Sequence, residues 1–173
     1  TNSLLNDAWA ALSKNKAALI SAATMVLMVF MVLIGPFFSP YAIDETDWYK
    51  IAAPPTLFDG HIFGTDDLGR DLFVRTMYGG RISLMVGLVA TMVSVMIGVT
   101  YGAVAGFMGG KVDALMMRFV DVLYAMPFLF FVILLMVFFG RSIFLIFVAI
   151  GAVNWLDIAR IVRGQTLNIK GKE

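Results

Sequence analysis

The side chains able to do chemistry are few, and most lie between residues 39 and 80. His61 is the only histidine. One imidazole completes neither an H-E-x-x-H zinc site nor a Ser-His-Asp relay without unusual partners, so a structural or surface role is expected for it. Seven carboxylates share the stretch: Asp44, Glu45, Asp47, Asp59, Asp66, Asp67 and Asp71. Those near Asp66 could hold a cation, but the EF-hand ligand order is absent, and turn and capping duties fit better. The run Gly106-Phe-Met-Gly109-Gly110-Lys111 is glycine-rich. It lacks the spacing of a phosphate-binding loop and has Val112 where Ser or Thr is required. There are no cysteines, which removes disulfides, thiolate ligands and cysteine nucleophiles together. The 12 methionines are scattered through apolar runs and read as packing and lipid-facing residues. No nucleophile–base–acid set is visible, so no catalytic, cofactor-binding or metal-ligating residues are expected. If ATP drives this protein, a partner must bind it.

The elements that carry these residues are apolar on a scale that water does not favour. Of the 173 residues 60% are hydrophobic and 14% charged, against about 45–50% and about 25% in soluble domains. The excess sits in long continuous runs, which favours a bilayer. The net charge of +1 points to neither a nucleic-acid partner nor an acidic tail. The chain begins at Thr1 and ends at Glu173 in a charged stretch; both ends are expected to be cut. No cleavable signal peptide is evident.

The expected fold is an all-α integral membrane protein with about four spans. Residues 1–16 read as an amphipathic segment, helical from Ser3 to Lys16, with Leu4, Leu5, Ala8, Trp9 and Leu12 on one side. The first span is 17–38, closed by Gly35 and Pro36. Residues 39–80 form a polar loop. The second span covers 82–108, and on it Ala90, Ser94, Gly98, Gly102 and Gly106 recur every four residues. That spacing puts small side chains on one helix face, where another helix can approach closely. The third span covers 112–139 with a kink at Pro127, and Arg118 and Asp121 could pair near the interface. The fourth covers 142–158, with Trp155 marking the membrane interface and Asp157/Arg160 as a second i, i+3 pair. A cytoplasmic tail follows. No unpaired carboxylate or lysine lies deep in a span, which argues against a proton-coupled carrier.

A cytoplasmic N-terminus places eight basic residues inside (Lys14, Lys16, Lys111, Arg118, Arg160, Arg163, Lys170, Lys172) and five outside (Lys50, Arg70, Arg75, Arg81, Arg141). The positive-inside rule favours this orientation mildly.

Phe63-Gly-Thr-Asp-Asp-Leu-Gly-Arg-Asp71, then Gly80-Arg-Ile-Ser-Leu84, resembles the periplasmic loop and second-span start of the C-type permease subunit of bacterial peptide ATP-binding-cassette importers. Gly109-Gly-Lys-Val-Asp113, Met117-Arg118, Asp121, Pro127 and Trp155-Leu-Asp-Ile-Ala-Arg160, with Arg163 and Leu167, resemble the same family in order and spacing. The similarity covers nearly the whole chain and is closest to the oligopeptide permease C subunit, with the dipeptide permease a near neighbour. It implies an N-terminal portion of a binding-protein-dependent permease fold with six spans when complete. Lys170-Gly-Lys-Glu173 looks like the run preceding the family's coupling segment. The resemblance further implies a B-type permease partner, two cytoplasmic ATPases holding ATP and Mg, a periplasmic peptide-binding protein, a peptide cargo and the bacterial inner membrane.

On these readings the chain is a non-enzymatic, path-forming importer subunit. Ala90, Ser94, Gly98, Gly102 and Gly106 are the expected packing residues. Gly64, Thr65, Asp66, Gly69, Arg70 and Asp71 form an ordered outer-loop motif. Gly109, Gly110 and Pro127 are hinge candidates, and Arg160, Arg163, Lys170 and Glu173 are coupling-side candidates. The rivals are a same-family importer of nickel or glutathione and a membrane scaffold without a path.

Overall fold

The structure, a computed structural model, describes residues 3–172. It is helical apart from one long loop: α1 (Leu4–Lys14), α2 (Lys16–Ile34), a 3-10 turn (Gly35–Phe38), α3 (Leu72–Met108), α4 (Gly110–Ala125), α5 (Phe128–Phe139) and α6 (Ile143–Lys170). In the loop two isolated β-bridges join Thr46 to Arg70 and Thr65 to Asp71. The chain divides into two compact units, Thr1–Leu84 and Met85–Glu173.

In the first unit, Ser3 caps α1 by accepting from the Asn6 N–H at 3.3 Å, and Asn15 ends α1 and caps α2 through Ala18 N–H at 3.2 Å. Each cap satisfies an orphan donor of a helix start. α2 with the 3-10 turn runs 23 residues, about 34 Å at α-helical rise and enough for the hydrocarbon core. Pro36 brings no N–H, so the Val32 carbonyl loses its helical donor. Arg81 supplies the replacement, donating from Nε to Val32 O at 2.6 Å and from Nη2 to Leu33 O at 2.7 Å.

That contact explains a difference from the sequence reading. Residues 72–80 are the first turns of α3, which extends for 37 residues, so the loop is 39–71 and ends ten residues before the expected span. Arg75, Gly79 and Gly80 look like loop residues because they are basic or lack side chains, and Arg81 follows them directly. On α3, Arg81 is occupied by α2 carbonyls and Gly80 faces Val32, whose Cγ1 would lie 2.5 Å from an added Cβ.

In the second unit, α3 ends at Met108, and Gly109 (φ 62°) and Gly110 (φ 54°) turn the chain into α4. The expected kink at Pro127 is a full break. Met126 is extended (φ −76°, ψ 129°), as the residue before a proline prefers, and α4 and α5 meet at 87°. α6 runs 28 residues, so the expected cytoplasmic tail continues the fourth span as helix to Lys170. Val120, Trp155, Leu156 and Ala159 form its core, with Tyr101, Met117 and Leu123 packed around them. Trp155 sits inside the helix packing, edge-on to Tyr101 with ring centroids 4.9 Å apart.

Candidate functional site

The small-residue face of α3 lies against α6. Ala90 and Ser94 are buried, and Ser94 Oγ donates to the Gly151 carbonyl at 3.2 Å. A Cβ on Gly98 would stand 2.7 Å from Ile158 Cβ and 2.9 Å from the Trp155 carbonyl oxygen. On Gly102 it would meet backbone alone: Ala159 C and Arg163 N at 3.0 Å, with the Ala159 carbonyl oxygen nearer still. On Gly106 it would lie 2.8 Å from Thr166 Cβ and 3.0 Å from Arg163 O. Backbone meets backbone along this seam because no side chain stands between, the contact that small residues give membrane helices.

Beside the seam runs a polar ladder that the i, i+3 reading missed. Arg163 holds Asp113 with two parallel bonds, Nε–Oδ1 at 2.5 Å and Nη2–Oδ2 at 2.6 Å. Arg160 Nη2 donates to Asp121 Oδ1 at 2.5 Å, and its guanidinium lies 4.5 Å from the Tyr124 ring centroid. Tyr124 in turn donates its hydroxyl to Asp157 Oδ1 at 2.6 Å. Asp121 therefore pairs across helices with Arg160 and not with Arg118, and Asp157 takes Tyr124 in place of Arg160. A bidentate Arg–carboxylate bond between helices fixes orientation as well as charge, whereas an exposed pair within one helix gains only about 0.3–0.5 kcal/mol. Lys170 Nζ donates to the Phe107 carbonyl at 2.8 Å, covering the C-terminal end of α3. Arg160, Arg163 and Lys170, read as coupling-side residues, are thus engaged within the chain, and Glu173 lies outside the described residues.

The outer-loop motif builds a knot at the N-terminus of α3. Thr65 Oγ1 accepts the Ala53 N–H at 2.8 Å and donates to the Lys50 carbonyl. Asp66 accepts from the Leu68 and Arg70 N–H groups, both at 2.9 Å, and from Arg70 Nε at 2.8 Å. The Arg70 amide, then burial, the Leu68 amide and the Arg70 guanidinium act on its carboxyl, with the net result below the usual carboxylate range. Gly64 (φ 77°) and Gly69 (φ 74°) need the left-handed region. A Cβ on Gly69 would collide with the Asp47 backbone, 2.9 Å from its carbonyl carbon.

Asp71 closes the knot. Its Oδ2 accepts the Val74 N–H at 3.0 Å, capping α3, and the Ser39 hydroxyl at 3.4 Å, while Oδ1 lies 3.0 Å from His61 Nδ1. His61 is buried and stacked on Tyr41 at 4.0 Å, and among the described residues its Nε2 has no hydrogen-bond partner; Asp47 Oδ2 is 3.8 Å away. The loop's one imidazole is therefore part of a helix cap. Among the described residues no three His, Asp or Glu side chains converge on a metal position.

Where α4 breaks into α5, a cavity of about 430 Å³ opens against α6, lined by Phe119, Tyr124, Phe128, Phe131, Trp155 and Asp157 among others. Sequence reasoning gave no sign of it, because it depends on the 87° bend.

Among the described residues, three helices long and apolar enough to cross a bilayer, one helix pair bent at Pro127 that counts as a fourth span if the pair is taken as one, and a seam built for close approach define a multi-pass helical membrane protein whose polar residues hold helices and turns together. Residues 3–55 match the model of the N-terminal transmembrane domain of oligopeptide transport permease C. Residues 98–173 match that of the binding-protein-dependent transport system inner membrane component. The chain is 56% identical to the oligopeptide transport system permease protein OppC of Escherichia coli K12, over 99% of this chain and 57% of the relative. It is 52% identical to the OppC of Haemophilus influenzae (99% and 55%) and 47% identical to the dipeptide transport system permease protein DppC of Bacillus subtilis (99% and 53%). The chain spans about half the length of these relatives. It belongs to the binding-protein-dependent transport permease family, in the oligopeptide/dipeptide C-subunit branch.

Proposed function

We propose that this chain forms part of the membrane path of an ATP-driven importer of short peptides. The observation that carries the reading is the identity of 52–56% to oligopeptide permeases over 99% of the chain, with both family models matched in order. The α3–α6 seam and its ladder would hold residues 85–170 as a packed body. The Gly109–Gly110 turn and the break at Pro127 would take up strain as access alternates. The aromatic cavity beside Asp157 offers apolar walls with one carboxylate, suited to passing side chains of mixed chemistry.

The partners in this proposal are a second, B-type permease, two cytoplasmic ATPases that bind ATP and Mg and hydrolyse it, and a periplasmic protein that delivers the peptide. The proposed setting is a bacterial inner membrane, with the N-terminus in the cytoplasm and residues 39–71 outside.

The test is uptake of a labelled tripeptide and a labelled pentapeptide by cells lacking the corresponding gene and complemented with the whole protein. Peptide uptake that needs ATP and is competed by unlabelled peptides is expected. Uptake indifferent to the complementing gene overturns the reading, and competition by nickel or glutathione in place of peptides reassigns the cargo.

A further inference from the structure

The loop of the first unit carries its most exposed apolar side chains on two tight turns. Phe58 is 101% exposed and Leu57 81%; Tyr49 is 99% exposed and Trp48 72%. These turns are fixed. Thr56 Oγ1 accepts the Phe58 N–H at 3.2 Å, Thr56 N–H donates to the His61 carbonyl at 3.0 Å, and Asp47 Oδ1 accepts the Tyr49 N–H at 3.0 Å. Lys50 Nζ, 2.7 Å from Asp59 Oδ2, ties one turn to the other.

The position of the Leu57–Phe58 turn is also fixed. Tyr41 donates its hydroxyl to the Asp59 carbonyl, and a Cβ on Gly60 would lie 3.2 Å from Pro40 Cγ and 3.4 Å from Tyr41 Cε2. The turn is therefore folded down onto Pro40 and Tyr41, the residues that follow the end of the first span. The last two residues of that span, Phe37 and Phe38, are themselves exposed. Leu57 and Phe58 thus stand on a turn packed against the residues just past Phe37 and Phe38, with the Trp48–Lys50 turn tied to it through Lys50 and Asp59. A packed loop that holds a phenylalanine wholly outside its own core, next to a membrane-crossing helix, continues the surface that helix already gives to lipid. Aromatic rings with a polar end and a lysine are the residues favoured at the headgroup level.

We propose that the Leu57–Phe58 turn seats in the boundary between headgroups and acyl chains of the leaflet on the loop's own side, docking the loop onto the bilayer surface. The partner is the lipid surface. The proposal rests on α2 crossing the membrane and goes beyond the transport reading.

Residues 1–173 hold no cysteine; in a cysteine-free background of the whole protein, Phe58→Cys, Leu57→Cys, Asp67→Cys and Val26→Cys each give one labelling site. The whole protein, assembled in its native membrane, is labelled with an environment-sensitive fluorophore and quenched either by aqueous iodide or by spin-labelled phosphatidylcholine. Labels at 57 and 58 are expected to emit to the blue of the label at 67, with a lipid-to-iodide quenching ratio several-fold higher. A ratio at 57 and 58 equal to that at 67 overturns the proposal. A blue shift seen only after adding a soluble extracytoplasmic protein overturns it too, in favour of a protein partner. Position 26 separates the two levels: lipid quenching there with none at 57 and 58 sinks the docked turn alone, and none at 26 sinks the span with it.

Discussion

Replacing Gly102 by alanine tests the α3–α6 seam at its tightest point. The added methyl would meet the Ala159 carbonyl and the Arg163 nitrogen, with Ala159 C and Arg163 N at 3.0 Å. Both belong to the α6 backbone, so no side-chain rotation relieves the clash, and the helices must separate by a few tenths of an ångström or more. Separation stretches the Ser94–Gly151 bond, already 3.2 Å, and loosens the van der Waals contacts at Gly98 and Gly106. Overpacking of this kind costs about 1–3 kcal/mol, and Gly102→Leu should cost more. Gly87→Ala on the same helix is the control, because among the described residues nothing lies within 4 Å of its added Cβ. The assay is thermal loss of the assembled, detergent-solubilised protein, followed by size-exclusion recovery. Gly102→Ala should fall at lower temperature than wild type, while Gly87→Ala should match it. If the two variants melt together, close backbone approach does not stabilise this helix pair, and the reasoning from small residues fails.

Asp113→Asn keeps one acceptor oxygen but loses the second and the negative charge of a two-bond guanidinium contact, leaving Arg163 half-buried without its counter-charge; a loss of about 1–3 kcal/mol is expected, and a double-mutant cycle with Arg163→Gln should show strong coupling. His61→Asn can still donate to Asp71, whereas His61→Leu cannot, so the leucine variant should open the loop to protease and the asparagine variant much less. Asp66 has a depressed carboxyl pKa in the folded loop, so its contribution is present above its unfolded value, about 3.9, and is lost as pH falls through the folded value. Loop protection should drop in that acid range, and Asp66→Asn should flatten the drop.

The seam was legible because its signal is a period: five small residues four apart define a helix face whatever the tertiary structure. The spans were legible by length. What the sequence hid depends on partners distant along the chain. Arg81 reads only as a basic residue at the edge of the second span until Pro36, 45 residues earlier, leaves a carbonyl without its donor. Asp121 and Asp157 sit three residues from arginines, so local spacing pairs them wrongly; the 87° break at Pro127 brings α4 and α6 together in a way no spacing encodes. His61 offered no pattern at all, since its partner Asp71 is useful only once α3 begins at Leu72.

The Arg81 contact also bears on how the chain is made. Ribosomal synthesis delivers α2 to the bilayer before Arg81 exists, so the acceptors at Val32 and Leu33 wait for a guanidinium emerging dozens of residues later. Until then the Val32 carbonyl lacks the donor that Pro36 cannot give, which is unfavourable for a group in the bilayer, and an arginine entering the bilayer alone would be equally costly. Each defect cures the other only if both helices are present together. The first two spans are therefore expected to mature as a hairpin, and Arg81→Leu should slow or misdirect that step even where the finished fold tolerates the change.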